Sequence, residues 1–401
     1  MKILDRFLKY IQIPTNSNSE TGASPSTENQ RNLAKVLIEE LNALNLDEVY
    51  YDEAHCYIYA YLKGNTDAPK IGFISHMDTS EAVTDENMKP QIIENYNGES
   101  VKLGESAVLD VEQYPDLKNH KGKTLITTDG TTLLGADDKA GIAEIMTMLE
   151  NLKTQDIPHG DIFIAFTPDE EIGEGTKYFD LTKFTPDFAY TVDGSDLGEI
   201  SFENFNAASI KIEITGVSTH LGSAKNILVN SQMIANKIIS TIPAEYPETT
   251  EKYEGYYHLD SIVGDVSCTK MKLLIRDFDK EGFEKRKQTI TEIVASLNSE
   301  YNNCIKLEIK DTYYNMKNII SNNMHIVEMA EKAMESIGVT PLIQEIRGGT
   351  DGAEISAKGL PCPNLGTGGH NFHGIYEYIC LEDMEKSSDV LIQIIKLYAG
   401  K

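Results

Sequence analysis

Leu133-Leu134-Gly135-Ala136-Asp137-Asp138-Lys139-Ala140-Gly141 is the stretch on which the reading of this chain turns. Just upstream, residues 124–128 (Thr-Leu-Ile-Thr-Thr) have the composition of a short strand. Downstream, Ile142, Ile145, Met146, Leu149 and Leu152 recur at helical spacing. Two adjacent carboxylates therefore sit between a strand and a helix, behind a glycine. Like charges that close repel, and burying them unpaired is costly. A bound cation relieves the conflict, because ionised carboxylates are hard oxygen ligands. A solvated turn with Asp138 as helix N-cap accounts for the same residues without any ligand. The other strand ends decide between the two.

Residues 71–75 (Ile-Gly-Phe-Ile-Ser) form a nearly continuous apolar run of the kind buried in a parallel sheet, and it ends in His76-Met77-Asp78-Thr79. Residues 161–166 form a second such run, ending in Thr167-Pro168-Asp169-Glu170-Glu171-Ile172-Gly173. A third, 188–192, ends in Asp193-Gly194. In open α/β sheets ligands bind outside the carboxyl ends of the strands. Four such ends then carry His76 and Asp78, Asp137 and Asp138, Glu170 and Glu171, and Asp193. A Gly-rich segment near the C-terminus, 366–374, adds His370 and His373. Histidines with carboxylates suit zinc, with one position left open for water. Two histidines and three carboxylates are the number needed for two metals sharing one bridging carboxylate. Spacing does not separate His370 from His373 as the second ring.

The remaining patterning gives the frame. Ile3, Leu4, Phe7, Leu8 and Ile11 mark a first amphipathic helix, and Thr27 with Gln30 reads as a capping box opening a second. Residues 80–123 read as a loop-rich β excursion. From about 207 to 315 the strand–helix alternation changes: Ile210, Ile212 and Ile214 alternate with polar residues, and helical stretches near 229–242 and 283–297 intervene. This predicts an inserted α+β sandwich. Helical periods near 325–337 and 382–398 return to the first architecture. The expected division is thus 1–206 and 316–401 for one α/β domain and 207–315 for the insertion.

With 36 basic and 63 acidic residues the net charge is −27, which argues against nucleic acid and anionic membrane surfaces as partners. No apolar run approaches the length of a membrane span, and the N-terminal residues lack the apolar core of a signal peptide. Five scattered cysteines without a CxxC pair suggest reduced thiols in a cytoplasmic protein.

Five segments in this order, His-Met-Asp-Thr at 76–79, Gly-Ala-Asp-Asp-Lys-Ala-Gly at 135–141, Pro-Asp-Glu-Glu-Ile-Gly at 168–173, Val-Asp-Gly at 192–194 and Asn-Phe-His-Gly at 371–374, resemble the dinuclear zinc peptidases that include aminoacylase and glutamate carboxypeptidase. The resemblance spans essentially the whole chain. It implies a catalytic domain with a mostly parallel central sheet flanked by helices, and a lid formed by the insertion. It implies two Zn2+ per subunit, with His76 and His373 as one ligand each, Asp137 as the bridge, and Glu171 and Asp193 as terminal carboxylates. Asp78 would hold the far nitrogen of His76, and Glu170 would be the general base toward the attacking water. The peptide bond between Asp137 and Asp138 is expected to be cis. His220 matches the lid histidine that helps stabilise the oxyanion, with Leu221 where the family usually has proline. Arg347, ahead of two glycines, is suited to gripping a substrate carboxylate. Arg276 beside Asp277 reads as an ion pair or a further substrate contact. The implied activity is removal of the N-terminal residue from tripeptides. The alternatives within the family are dipeptidase, carboxypeptidase or N-acyl amino acid deacylase. Lids pair in some members and not in others, so a homodimer is one expectation for assembly.

Overall fold

The computed structural model describes residues 1–105 and 107–400; Ser106, in the 80–123 excursion, and Lys401, the last residue of the 316–401 segment, lie outside the described residues. The chain splits into two compact units, one of Met1–Phe202, Asn318–Gln344 and Thr350–Lys401, the other of Glu203–Lys317 and Glu345–Gly349.

The first unit is built on an eight-stranded mixed sheet. Its order is Glu48–Asp52, Tyr57–Leu62, Ile162–Thr167, Ile71–His76, Phe188–Gly194, Asn364–Gly366, Glu199–Ser201 and Leu342–Ile343. The four central strands, from Ile162–Thr167 to Asn364–Gly366, run parallel. Antiparallel pairing is confined to the flanks. Ile71–His76 and Ile162–Thr167 are buried at every position. Helices cover both faces of such strands, and this is why they read as unbroken apolar runs. His76 pairs with Thr167, and Ile74 with Thr191. His76, the 168–171 segment and Asp193 therefore leave the sheet at one level.

Residues 125–128 depart from the sequence reading. They do not join the central sheet. They lie in a separate four-stranded antiparallel sheet of order Gly369–His370, Tyr378–Cys380, Leu125–Thr128, Pro90–Ile93. Thr127 and Thr128 donate their hydroxyls to the carbonyls of Glu377 and Ile375, at 2.8 and 3.3 Å, which ties this strand to the C-terminal loop. A four-residue strand carries no period that could assign it to one sheet or another. The consequence is functional: the small sheet holds both the strand that precedes Asp137 and the hairpin whose loop carries His373.

Two local expectations are also corrected. The second helix begins at Gln30 without a side-chain cap. Thr27 instead donates to Asn16 O at 2.7 Å, and the Gln30 amide donates to Asp169 Oδ1 at 2.7 Å. The predicted box residues thus tie the N-terminal segment to the 168–171 loop. Asp138 is not an N-cap: Gly135, at φ 80°, takes that position for helix Ala136–Thr154. A left-handed backbone there strains any side chain, so the turn requires glycine.

The second unit is a four-stranded antiparallel sheet, ordered Tyr256–Gly264, Cys268–Asp277, Asn206–Thr215, Ile305–Tyr313, with helices Ser231–Thr241 and Lys280–Glu300. Ile210, Ile212, Ile214, Met271, Leu273 and Ile275 point to one face and pack with Ile234, Ile238, Phe283 and Ile290 of the helices. Asn230 and Asp279 cap those helices by accepting backbone N–H groups. Strand Tyr256–Gly264 is not legible in the sequence, because its register shifts between Leu259 and Ser261 and the alternation breaks there. Residues 345–349, assigned by sequence to the 316–401 segment, belong to this second unit. The Arg347 guanidinium fixes them there by donating to the carbonyls of Thr250, Lys252 and Glu254. Among the described residues no helix is long and apolar enough to cross a membrane.

Glu144, on helix Ala136–Thr154, is fully buried, and among the described residues neither carboxylate oxygen has a hydrogen-bond partner. Nearby Ser387 donates its hydroxyl to Gly366 O at 2.7 Å. Burial pushes the Glu144 carboxyl well above its ordinary range. A raised carboxyl keeps its proton in the folded state and gives it up on unfolding. Its contribution is therefore most favourable below the unfolded-state pKa and is lost as pH rises. Glu144→Met is expected to stabilise the fold at pH 8 by about 1–3 kcal/mol and to flatten the decline between pH 5 and pH 8. Urea unfolding at the two values checks this; equal wild-type midpoints would refute the buried protonated acid.

Candidate metal centre

Four side chains of the first unit, His76, Asp193, His373 and Glu171, gather around a fifth, Asp137. His76 Nε2 lies 2.9 Å from Asp137 Oδ1 and 3.3 Å from Asp193 Oδ1. His373 Nε2 lies 3.0 Å from Asp137 Oδ2 and 2.9 Å from Glu171 Oε2. One carboxylate thus presents one oxygen to each imidazole, and each imidazole meets a second carboxylate. The Asp137–Asp138 peptide bond is cis, as the resemblance implies. His370 stays away from this cluster. Its ring stacks on Tyr378 at 4.8 Å, and burial lowers its pKa to about 4. His373 is therefore the ring that reaches Asp137.

The charge balance says what the site lacks. Asp137, Asp138, Glu170, Glu171 and Asp193 crowd around two imidazoles. Burial raises the Glu171 carboxyl to about 7, with Asp137 adding to the effect. Burial likewise raises Asp193 to about 6 and Glu170 well above the ordinary range. Burial alone would raise Asp137 too, but His373 and His76 outweigh it and hold that carboxyl well below its usual range. Hydrogen bonds to Asp137 and Glu171 drive His373 up to about 11. Carboxyls this strongly raised beside imidazoles this strongly raised are a cluster short of positive charge. Glu171 Oε1 and Asp138 Oδ1 are buried and have no hydrogen-bond partner among the described residues, so acceptor capacity is left over. Two nitrogen and three carboxylate donors around a shared Asp137 fit two divalent metal ions.

The neighbours of the cluster fix its orientation. His76 Nδ1 donates to the backbone carbonyl of Asp78 at 3.0 Å, with the carboxylate further off at 3.4 Å. The Asp78 carboxylate is mainly engaged elsewhere: Oδ1 accepts Glu170 N–H at 3.0 Å and Oδ2 accepts Glu171 N–H at 3.1 Å. Asp78 therefore orients the ring through its backbone and both glutamates through its side chain. Asp169, at φ 57°, anchors the same loop by accepting Ser26 N–H on both oxygens at 2.9 Å. Asp138 turns to Ser75 Oγ and to His76 N–H, so the second aspartate of the pair braces the strand end. Asp351, which carried no role in the sequence reading, is buried behind the site. It accepts Thr167 Oγ1 at 2.8 Å, and burial raises it to about 8. Its only sequence signal is the Thr350-Asp351-Gly352 turn.

The other three sequence candidates lie in the second unit. His220 is exposed, and its Nδ1 accepts Gly222 N–H at 3.2 Å, which leaves Nε2 as the protonated, donating nitrogen. Arg347 is engaged within its own unit. Besides the carbonyls of 250–254, it donates to Thr250 Oγ1 at 3.1 Å and lies 5.1 Å over the Phe205 ring. Arg276 does not pair with Asp277; it bonds Ile275 O at 3.0 Å and lies over Tyr313. The partner of Asp277 is Arg286, at 2.7 Å. Adjacent strand residues face opposite sides of a sheet, so neighbours in sequence are poor ion-pair partners. Back in the first unit, a further group of His120, Cys380 and Asp383 has metal-ligating residue types. Its carboxylate already carries a cation, the Lys123 ammonium at 2.6 and 2.8 Å.

This fold and this donor set define a class. The chain belongs to peptidase family M20/M25/M40, whose family model matches residues 125–397. Membership makes it a metallopeptidase, a hydrolase, and the α/β fold expected from the sequence is the one found. Among its relatives, Peptidase T of Halothermothrix orenii is 53% identical over 407 residues, covering 100% of both chains. Peptidase T of Clostridium perfringens is 52% identical over 405 residues, again covering 100% of both. The crystal structure of aminopeptidase PepT from Bacillus cereus ATCC 10987 superimposes with a TM-score of 0.80 at 25% identity, covering 100% of this chain and 98% of that one.

Proposed function

We propose that this chain is an aminopeptidase that removes the N-terminal residue from tripeptides, using two zinc ions and a glutamate general base. The observation that carries the chemistry is Asp137, whose two oxygens face two imidazoles at 2.9 and 3.0 Å. The observation that carries the substrate class is similarity, at 53 and 52% identity over full length, to proteins named Peptidase T.

His76, Asp137 and Asp193 would hold one ion, and His373, Asp137 and Glu171 the other. When bound, the ions supply Lewis acidity toward the scissile carbonyl and lower the pKa of water. Glu170 does the proton work. Its backbone is pinned by Asp78, and its side chain would accept a proton from the attacking water and return it to the leaving amine. The raised carboxyl of Glu170 supports this role, because a base that returns its proton needs a pKa nearer neutrality than an exposed glutamate has. Asp78 keeps His76 in the tautomer that offers Nε2 to an ion. All five cysteines are free, which suits a reducing compartment, and we place the protein in the cytoplasm.

The test joins metal content to product analysis. Elemental analysis of active protein is expected to give two divalent ions per chain. Incubation with a tripeptide is expected to release the N-terminal amino acid and a dipeptide. At most one ion in fully active protein would remove the bridging role of Asp137. Turnover of dipeptides or N-acyl amino acids with tripeptides untouched would move the protein to another activity of its family.

A further inference from the structure

Glu377 is 1% exposed and stands four residues after His373. Its carboxylate accepts three backbone N–H groups from one turn. Oε2 takes those of Leu134 at 2.7 Å and Gly135 at 2.9 Å, and Oε1 takes that of Asp137 at 3.1 Å. The first N–H groups of a helix have no partner inside it. The turn opening helix Ala136–Thr154 also lacks a side-chain cap of its own. Glu377 is therefore its cap, supplied from the far end of the chain, and charge-assisted bonds to amides at a helix start are strong.

The other side of Glu377 is equally fixed. Its carbonyl accepts Thr127 Oγ1 at 2.8 Å, and the next residue, Tyr378, pairs with Thr127. One residue thus joins the turn that presents Asp137 to the loop that presents His373. The two histidines differ in how much they need such a brace. His76 ends a central strand, is 2% exposed, and is oriented by Asp78. His373 is 48% exposed and sits on a loop at φ 63°.

We propose that Glu377 is a positioning residue of the metal centre: its carboxylate locks the 134–137 turn to the 371–377 loop and so sets the placement of Asp137 relative to His373. The proposal rests on Asp137 and His373 being metal ligands, as proposed above. It makes the ion held by His373 and Glu171 depend on Glu377, and leaves the ion held by His76 and Asp193 largely independent of it.

The experiment strips the full-length protein with a chelator and titrates it with Zn2+ by calorimetry. Co2+ titration, followed by visible absorption, gives a second readout of each site. The wild type is expected to bind two ions. Glu377→Gln keeps the size of the side chain but turns an NH2 group toward backbone donors, and is expected to weaken one binding event by about 10–100-fold, with the other unchanged. Glu377→Asp retains the charge on a shorter arm and is expected to weaken the same event less. It serves as the test if the glutamine variant is insoluble. Glu382→Gln is the structural control: Glu382 accepts the N–H and hydroxyl of Thr124, beside the same strand and away from the cluster. It is expected to lower the melting temperature with both binding events intact. Two unaltered events in Glu377→Gln, or equal weakening of both, would overturn the proposal. Fewer than two events in the wild type would instead remove the ligand assignment beneath it.

Discussion

Glu170→Gln is expected to retain both ions and to lose turnover by about 10²–10⁴-fold, the usual weight of a general base. The amide keeps the shape of the side chain, and the N–H of residue 170 still finds Asp78. What it loses is the ability to take a proton from water. KM is expected to change little, since contacts to the bound peptide survive. Glu171→Ala is expected to fail differently. Glu171 lies 2.9 Å from His373 and keeps one buried oxygen without a hydrogen-bond partner among the described residues, the posture of a ligand. Its removal is expected to cost the ion on the His373 side, and activity with it. Mass spectrometry for metal and tripeptide turnover at saturating substrate distinguish the two. Metal loss in Glu170→Gln with retention in Glu171→Ala would exchange the roles, and near-normal turnover in Glu170→Gln would end the general-base reading.

These two residues also mark how far the sequence could be read. That a pair of glutamates lies beside a histidine and two aspartates follows from buried strands, since strands that read as unbroken apolar runs must end where polar residues begin. Which glutamate faces which group does not follow, because it is set by Asp78 bonding both backbone amides from another strand. The central strands and the alternating strands of the second unit were legible for the same reason: burial on two faces or on one leaves a periodic mark. The small sheet around Leu125–Thr128 left none. It is short, and one of the two strands flanking Leu125–Thr128 comes from residues about 250 positions away. The surroundings of Arg276 and Arg347 were not legible from local context. Adjacency suggested Asp277 as a partner for Arg276, which instead bonds Ile275 O and lies over Tyr313, and the glycines after Arg347 gave no sign of the Thr250–Glu254 carbonyls and the Phe205 ring that meet it. Glu377 carried no signal at all, because backbone amides as partners leave no complementary residue type to notice.

Asp137→Ala is expected to abolish binding of both ions and to bring activity to background, the largest effect of any single substitution in the chain. Every other ligand serves one half of the cluster. His76 has Asp193 beside it and His373 has Glu171, so removal of any of these four leaves the opposite half with its donors. Asp137 alone has an oxygen in each half, at 2.9 and 3.0 Å from the two rings. Without it each half keeps one imidazole and one carboxylate, too few protein donors for a tightly held zinc. Thermal unfolding gives a readout independent of turnover. Ligand linkage stabilises a native state by about 2.7 kcal/mol when the ion is present at 100 times its Kd. Added Zn2+ should therefore raise the wild-type melting temperature and leave that of Asp137→Ala where it was. Asp193→Ala and Glu171→Ala should each respond to an intermediate extent, through the half that remains. A zinc-dependent rise in Asp137→Ala equal to that of either single-half variant would mean that Asp137 serves one ion only and that the centre has no bridge.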